Sequence, residues 1–79
     1  MSQENVWNLQ IGFVGSGEQA GRATEIIVAA RKRGMPVYGE GPWWNVAYGA
    51  VETRTAALAA LSSDLDEIDP GWRDILAIH

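Results

Sequence analysis

The sequence predicts an α+β fold of the ferredoxin-like type, a β-α-β-β-α-β sandwich. Its four-stranded antiparallel sheet, in the order 4-1-3-2, carries two helices on one face. Three observations predict it. Apolar residues alternate with period two near the N-terminus, two later segments repeat at helical spacing, and short apolar runs bounded by glycine and proline fill the gaps. The proposed strand order keeps both crossovers right-handed, and the element lengths suit one compact unit over residues 1–79.

The first strand runs from Val6 to Val14. Trp7, Leu9, Ile11 and Phe13 lie on one side, with Asn8, Gln10 and Gly12 on the other, so one face is buried. Ser16-Gly17-Glu18-Gln19 has the form of a capping box, and Ala20, Ala23, Ile27 and Ala30 follow at helical spacing. Arg31-Lys32-Arg33 places cations where a helix C-terminus favours them, and Gly34 is a natural terminator. The first helix therefore spans about Gly17 to Arg33. Met35 to Gly39 forms a short strand whose Pro36 suits an edge. Gly39-Glu40-Gly41-Pro42 is a turn, and Trp43 to Glu52 is the third strand. Thr53 or Thr55 caps a second helix reaching about Ile68, with Leu58, Leu61, Leu65 and Ile68 as its stripe. Asp69-Pro70-Gly71 stops it, Trp72 folds back over its end, and Ile75 to Ile78 forms the last strand.

The composition narrows the chemistry. The chain has no cysteine, which excludes disulfides and thiolate metal sites. Its one histidine, His79, cannot assemble a histidine-based metal site or a triad, and no metal or cofactor is expected. The N-terminal segment has no basic region followed by an apolar run, and no stretch reaches the roughly 20 apolar residues of a membrane span. The expectation is a soluble, cytoplasmic protein. The net charge is −4, and residues 34–79 carry a balance of −5 against +1 for residues 1–33. An acidic chain lacks the cations that displace phosphate counterions, which argues against nucleic acid and for a protein partner or a homodimer.

The segment Ile11 to Gly21 holds Gly15-x-Gly17-x-x-Ala20 between a strand and a helix. This pattern resembles the opening of NAD(P)-binding Rossmann domains. The resemblance implies a nucleotide pyrophosphate held by Gly15, Ser16, Gly17 and Ala20 at a helix N-terminus, with Glu40 on the ribose. Two facts oppose it. A strand of a doubly wound sheet is apolar on both faces, whereas Asn8 and Gln10 occupy one face here. Only 39 residues follow Glu40, too few for the remaining crossovers. Gly15, Ser16 and Gly17 also serve as a plain strand-to-helix turn.

Tyr48-Gly49-Ala50-Val51-Glu52 resembles the third-strand core of RNA-recognition motifs. Val46, Ala50 and Thr53 stand where that family wants basic or aromatic residues, and base stacking needs several rings in a cationic surround. The tryptophans are more informative. Trp7 reads as core, and Trp43 and Trp44 must point to opposite faces of a strand. With the small residues Ala47 and Gly49 packed under the helices, Trp44, Val46, Tyr48 and Ala50 form an exposed apolar stripe, and such stripes mark interfaces. The opposite assignment packs that stripe on the helices and leaves Asn45, Ala47, Gly49, Val51 and Thr53 outside. Asp64, Asp66 and Glu67 add an acidic surface on the second helix that steers a basic partner.

Titratable groups are scattered along the sequence rather than converging, which favours a non-enzymatic role. The reading is a small protein-interaction module. It self-associates, or docks on a protein as an inhibitor or regulator, through its open sheet face and acidic second helix. Partner-binding residues would be Trp43, Trp44, Val46, Tyr48, Asp64, Asp66 and Glu67. The alternative is a small-ligand or nucleotide site at the glycine loop.

Overall fold

The period-two alternation of the first strand resolves into one buried and one open side. The computed structural model describes residues 6–79. Strand β1 (Val6–Phe13) buries Leu9 and Ile11 completely and leaves Val6, Asn8 and Gln10 exposed. A 3-10 turn at Gly17–Gln19 leads into helix α1 (Ala20–Lys32), followed by strands β2 (Val37–Tyr38) and β3 (Trp43–Gly49). Helix α2 (Arg54–Ile68), a 3-10 turn at Trp72–Asp74 and strand β4 (Leu76–Ile78) complete the chain. The strands form one sheet in the order β2-β3-β1-β4, and each neighbouring pair is antiparallel. Strand β2, preceded by Pro36, lies at an edge as the sequence predicts.

Local chemistry sets the element ends. The last turn of α1 closes as a Schellman motif. The Met35 N–H donates to the Ala30 carbonyl at 3.1 Å and the Gly34 N–H to Arg31 at 3.0 Å, with Gly34 at φ +88°. Arg31 then reaches across to the Val37 and Gly39 carbonyls and fixes β2 to the helix end. The Thr53 hydroxyl accepts the Ala56 N–H at 3.1 Å and caps α2. At the other end of α2, the Asp69 carboxylate accepts the Gly71 N–H and grips Arg22 of α1 with two bonds of 2.9 and 2.7 Å. Trp72 folds back as predicted, 3% exposed, with its indole N–H on Asp66.

The core lies between one sheet face and both helices. Ala23, Ile26, Ile27 and Ala30 of α1 and Ala57, Leu61 and Leu65 of α2 pack on Leu9, Ile11, Val37, Trp44, Val46 and Leu76. This corrects the face assigned to β3. Trp44 is 7% exposed, Val46 is fully buried and Tyr48 is half-buried, so the expected apolar stripe faces inward. The cause is the register. Leu9 pairs with Val46, Ile11 with Trp44 and Trp7 with Tyr48, and directly paired antiparallel residues share a face. Strand β3 also stops at Gly49 rather than Glu52, because Ala50 turns the backbone to φ +60°. Among the described residues no helix is long and apolar enough to cross a membrane.

Trp44→Ala should lower the unfolding free energy by about 3–5 kcal/mol, and Trp43→Ala by about 1 kcal/mol or less. Urea titrations followed by circular dichroism check this, and the reverse ranking would overturn the face assignment. Ala50→Gly relieves a left-handed alanine and should raise stability by up to about 1 kcal/mol in the same assay; no gain would place the strain elsewhere.

Candidate functional site

The register that buries Trp44 and Val46 brings a different set of side chains to the open face. Asn45 stands between Tyr38 of β2 and Gln10 of β1. Gln10 exchanges both backbone hydrogen bonds with His79, at 3.5 and 2.8 Å. One cross-strand row therefore reads Tyr38, Asn45, Gln10, His79. The row on one side holds Trp43, Gly12 and Ala77; the row on the other holds Ala47 and Asn8, with Val6 and Gly49 beyond. Among the described residues, none in these rows is an aspartate, glutamate, lysine or arginine.

Trp43 is the anchor of this face. Its ring lies across the backbone of Gly12, where an added Cβ would come within 2.6 Å of the ring Cε3. Any larger residue at this position lifts the indole off the sheet. The His79 imidazole meets the ring edge-on, with centroids 4.8 Å apart. Trp43 is still 46% exposed, Tyr38 59% and Val6 53%. The face thus offers the rings of Trp43 and Tyr38, the His79 imidazole and three carboxamides.

The remaining predicted residues sit elsewhere. Asp64, Asp66 and Glu67 are tied internally. The Tyr48 hydroxyl donates to Asp64, which anchors the sheet to α2. Trp72 and Arg73 donate to Asp66, each at 2.8 Å, and Arg33, just past the end of α1, donates to Glu67 at 3.3 Å. Burial, and then the bond to Asp64, push the Tyr48 phenol well above its usual range. The Trp72 indole, together with Arg73, holds the Asp66 carboxyl below its usual range. The Arg22 guanidinium does the same for Asp69.

The glycine loop closes on itself. Gln19 reaches back so that its side-chain oxygen accepts the Ser16 N–H at 2.8 Å, completing the predicted capping box. That oxygen occupies the space above Gly15, where a Cβ would approach it to 2.5 Å. Gly17 has open space around it. Ala20 lines an apolar hollow of about 250 Å³ beside Phe13, Pro42 and Trp44. Glu40 lines an adjoining one of about 190 Å³ with Arg31 and Gly39. The structure thus brings Ala20 and Glu40 to neighbouring hollows. Gly15 and Ser16 are closed over by a side chain of their own turn.

Of the residues on this open face, the sequence analysis singles out Trp43 and does not single out Asn8, Gln10, Asn45 or His79. The signal was present: Asn45 is the one polar residue in the middle of β3, and it belongs on the face that carries Asn8 and Gln10. Among the described residues no group of histidines and acids could hold a metal ion. Comparisons with protein-family models, with curated proteins and with solved structures found no match.

The depressed Asp66 and Asp69 carboxyls contribute to the acid limb of stability. Folding favours their charged forms, so their contribution is complete above about pH 4 and is lost as pH falls through the lower folded values. The raised Tyr48 phenol works in the opposite sense: its contribution holds below about pH 10 and is lost as pH rises further. Asp69→Asn should flatten the fall of Tm below pH 4, and Tyr48→Phe the fall above pH 10. Thermal melts across pH read both; unchanged slopes would remove these groups from the account.

Proposed function

We propose that this chain is a ferredoxin-like, non-enzymatic protein-interaction module that works through the open face of its sheet. It either self-associates or docks on a protein partner as an inhibitor or regulator. The observation that carries this reading is the chemistry of the face. Half-exposed rings of Trp43 and Tyr38 flank the carboxamides of Asn8, Gln10 and Asn45, with no charged side chain among them. Interface centres are enriched in such aromatics and depleted of charge. Of the residues first expected to bind, Trp43 keeps this role. Trp44, Val46 and Tyr48 support the face from beneath. Asp64, Asp66 and Glu67 tie α2 to β3, to the Trp72–Asp74 turn and to the end of α1.

The glycine loop has weaker support as a ligand site, because Gln19 already takes the Ser16 N–H that an anion would need.

The test compares the wild type with Asn45→Arg, which sets a charge at the centre of the face without touching the core. Association at low-micromolar concentration (about 10 μM or below), read as light-scattering mass or as retention of a co-purifying protein, should fall at least tenfold in the variant. Circular dichroism should be unchanged. Association that is indifferent to Asn45→Arg would refute the face reading. Saturable quenching of tryptophan fluorescence by NADH, lost in Gly17→Val, would favour the loop instead.

A further inference from the structure

Strand β1 spans eight residues, but strand β4, on its outer side, has only three. The β4 partners cover Ile11, Gly12 and Phe13, and His79 adds Gln10. Hydrogen bonding shows which residues of β1 point their backbone groups outward. Gln10 bonds to His79, and the Val14 N–H donates to Ile75 at 2.8 Å, so the even-numbered residues face β4. Phe13 donates the other way, to the Pro42 carbonyl at 2.9 Å on the β3 side. By this alternation the N–H and C=O groups of Val6 and Asn8 point past the end of β4. Among the described residues no strand stands beside them.

We propose that this exposed edge of β1 is a strand-pairing site whose occupant is the same segment of a second copy. The two copies run antiparallel about a two-fold axis at Trp7. Three features select this occupant. The slot is short, since His79 blocks it at Gln10, and the Val6–Leu9 segment is a strand of matching length. Set antiparallel, Asn8 opposes Val6 of the second copy and Val6 opposes its Asn8, so the outward groups of both strands pair and the contact closes on itself. Val6-Trp7-Asn8-Leu9 carries no charge, so self-pairing sets no like charges opposite each other. Trp7, whose own backbone groups bond to β3, then meets its twin at a non-hydrogen-bonded position, where facing side chains come closest.

The consequence is a single sheet running through both copies, with the two open faces joined side by side. The pairing uses the edge and leaves the face free, so it stands or falls separately from the face reading. The contact is smaller than standard stable interfaces, so association in the high-micromolar range is expected.

The test is the mass of the full chain by light scattering up to millimolar concentration, for wild type, Asn8→Pro and Asn45→Arg. Proline at position 8 removes the outward N–H while sparing every bond described within the chain. The wild type and Asn45→Arg should reach dimer mass while Asn8→Pro stays monomeric. A wild type that remains monomeric overturns the proposal, as does a dimer that survives Asn8→Pro. Register is read independently in this cysteine-free chain, without relying on the proline variant. An equimolar mixture of Val6→Cys and Asn8→Cys proteins is oxidised and analysed by mass spectrometry. The 6-to-8 disulfide should exceed its statistical share over the 6-to-6 and 8-to-8 products; a random distribution rejects the pairing.

Discussion

The antiparallel register of β1 against β3 is the constraint on which the rest of the structure depends. Seven consecutive pairs, from Val6 with Gly49 to Gly12 with Trp43, fix the face of every residue in the two central strands. A slip by one residue would put Asn8, Gln10 and Asn45 under the helices and Leu9, Ile11 and Val46 into water. Burying three carboxamides without partners costs far more than any local preference in the turns can offset. The apolar requirement of the core therefore also determines the open face.

The helices are held to this sheet by more than apolar contact. Tyr48 to Asp64 joins β3 to α2, while Arg22 to Asp69 and Arg33 to Glu67 join α1 to α2. Trp72 and Arg73 to Asp66 hold the last turn against α2. Each pair is partly exposed, and isolated surface ion pairs contribute little. Their role here is geometric: they fix the crossing of two short helices whose buried stripes are largely alanine, isoleucine and leucine. The acidic stretch from Asp64 to Asp69 looks like a free negative surface in the sequence. In the fold it is largely the internal fastening of α2.

Much of the fold was legible in the sequence because it is written in local patterns. The alternation in β1, the Gln19 capping box, the Arg31–Gly34 helix stop, the Thr53 cap and the return of Trp72 each depend on residues a few positions apart. The face of β3 was not legible in this way. Trp43-Trp44 reads equally well in either orientation, because each face has one tryptophan and a mixture of sizes behind it. Only the pairing with β1, thirty and more residues away in the chain, separates them. The small residues Ala47 and Gly49, expected under a helix, instead keep the open face flat. The ties of the α2 acids were hidden for the same reason, since Arg22 and Arg33 lie far upstream.

The composition of the open face also limits what can bind it. A purely apolar surface would accept almost any greasy partner, but Asn8, Gln10 and Asn45 must exchange water for matching donors and acceptors when they are covered. A partner that leaves them unmatched loses roughly 1–3 kcal/mol for each stranded group, enough to cancel what a buried ring contributes. On the proposed reading, Trp43 and Tyr38 would supply contact area with few rotamers to freeze, and the carboxamides would impose selection. The ring of Trp43 is itself seated by the bare backbone of Gly12 and the edge of His79, so the anchor is ordered before a partner arrives. On the proposed reading, a neutral face of this kind would derive specificity from hydrogen-bond matching rather than from charge.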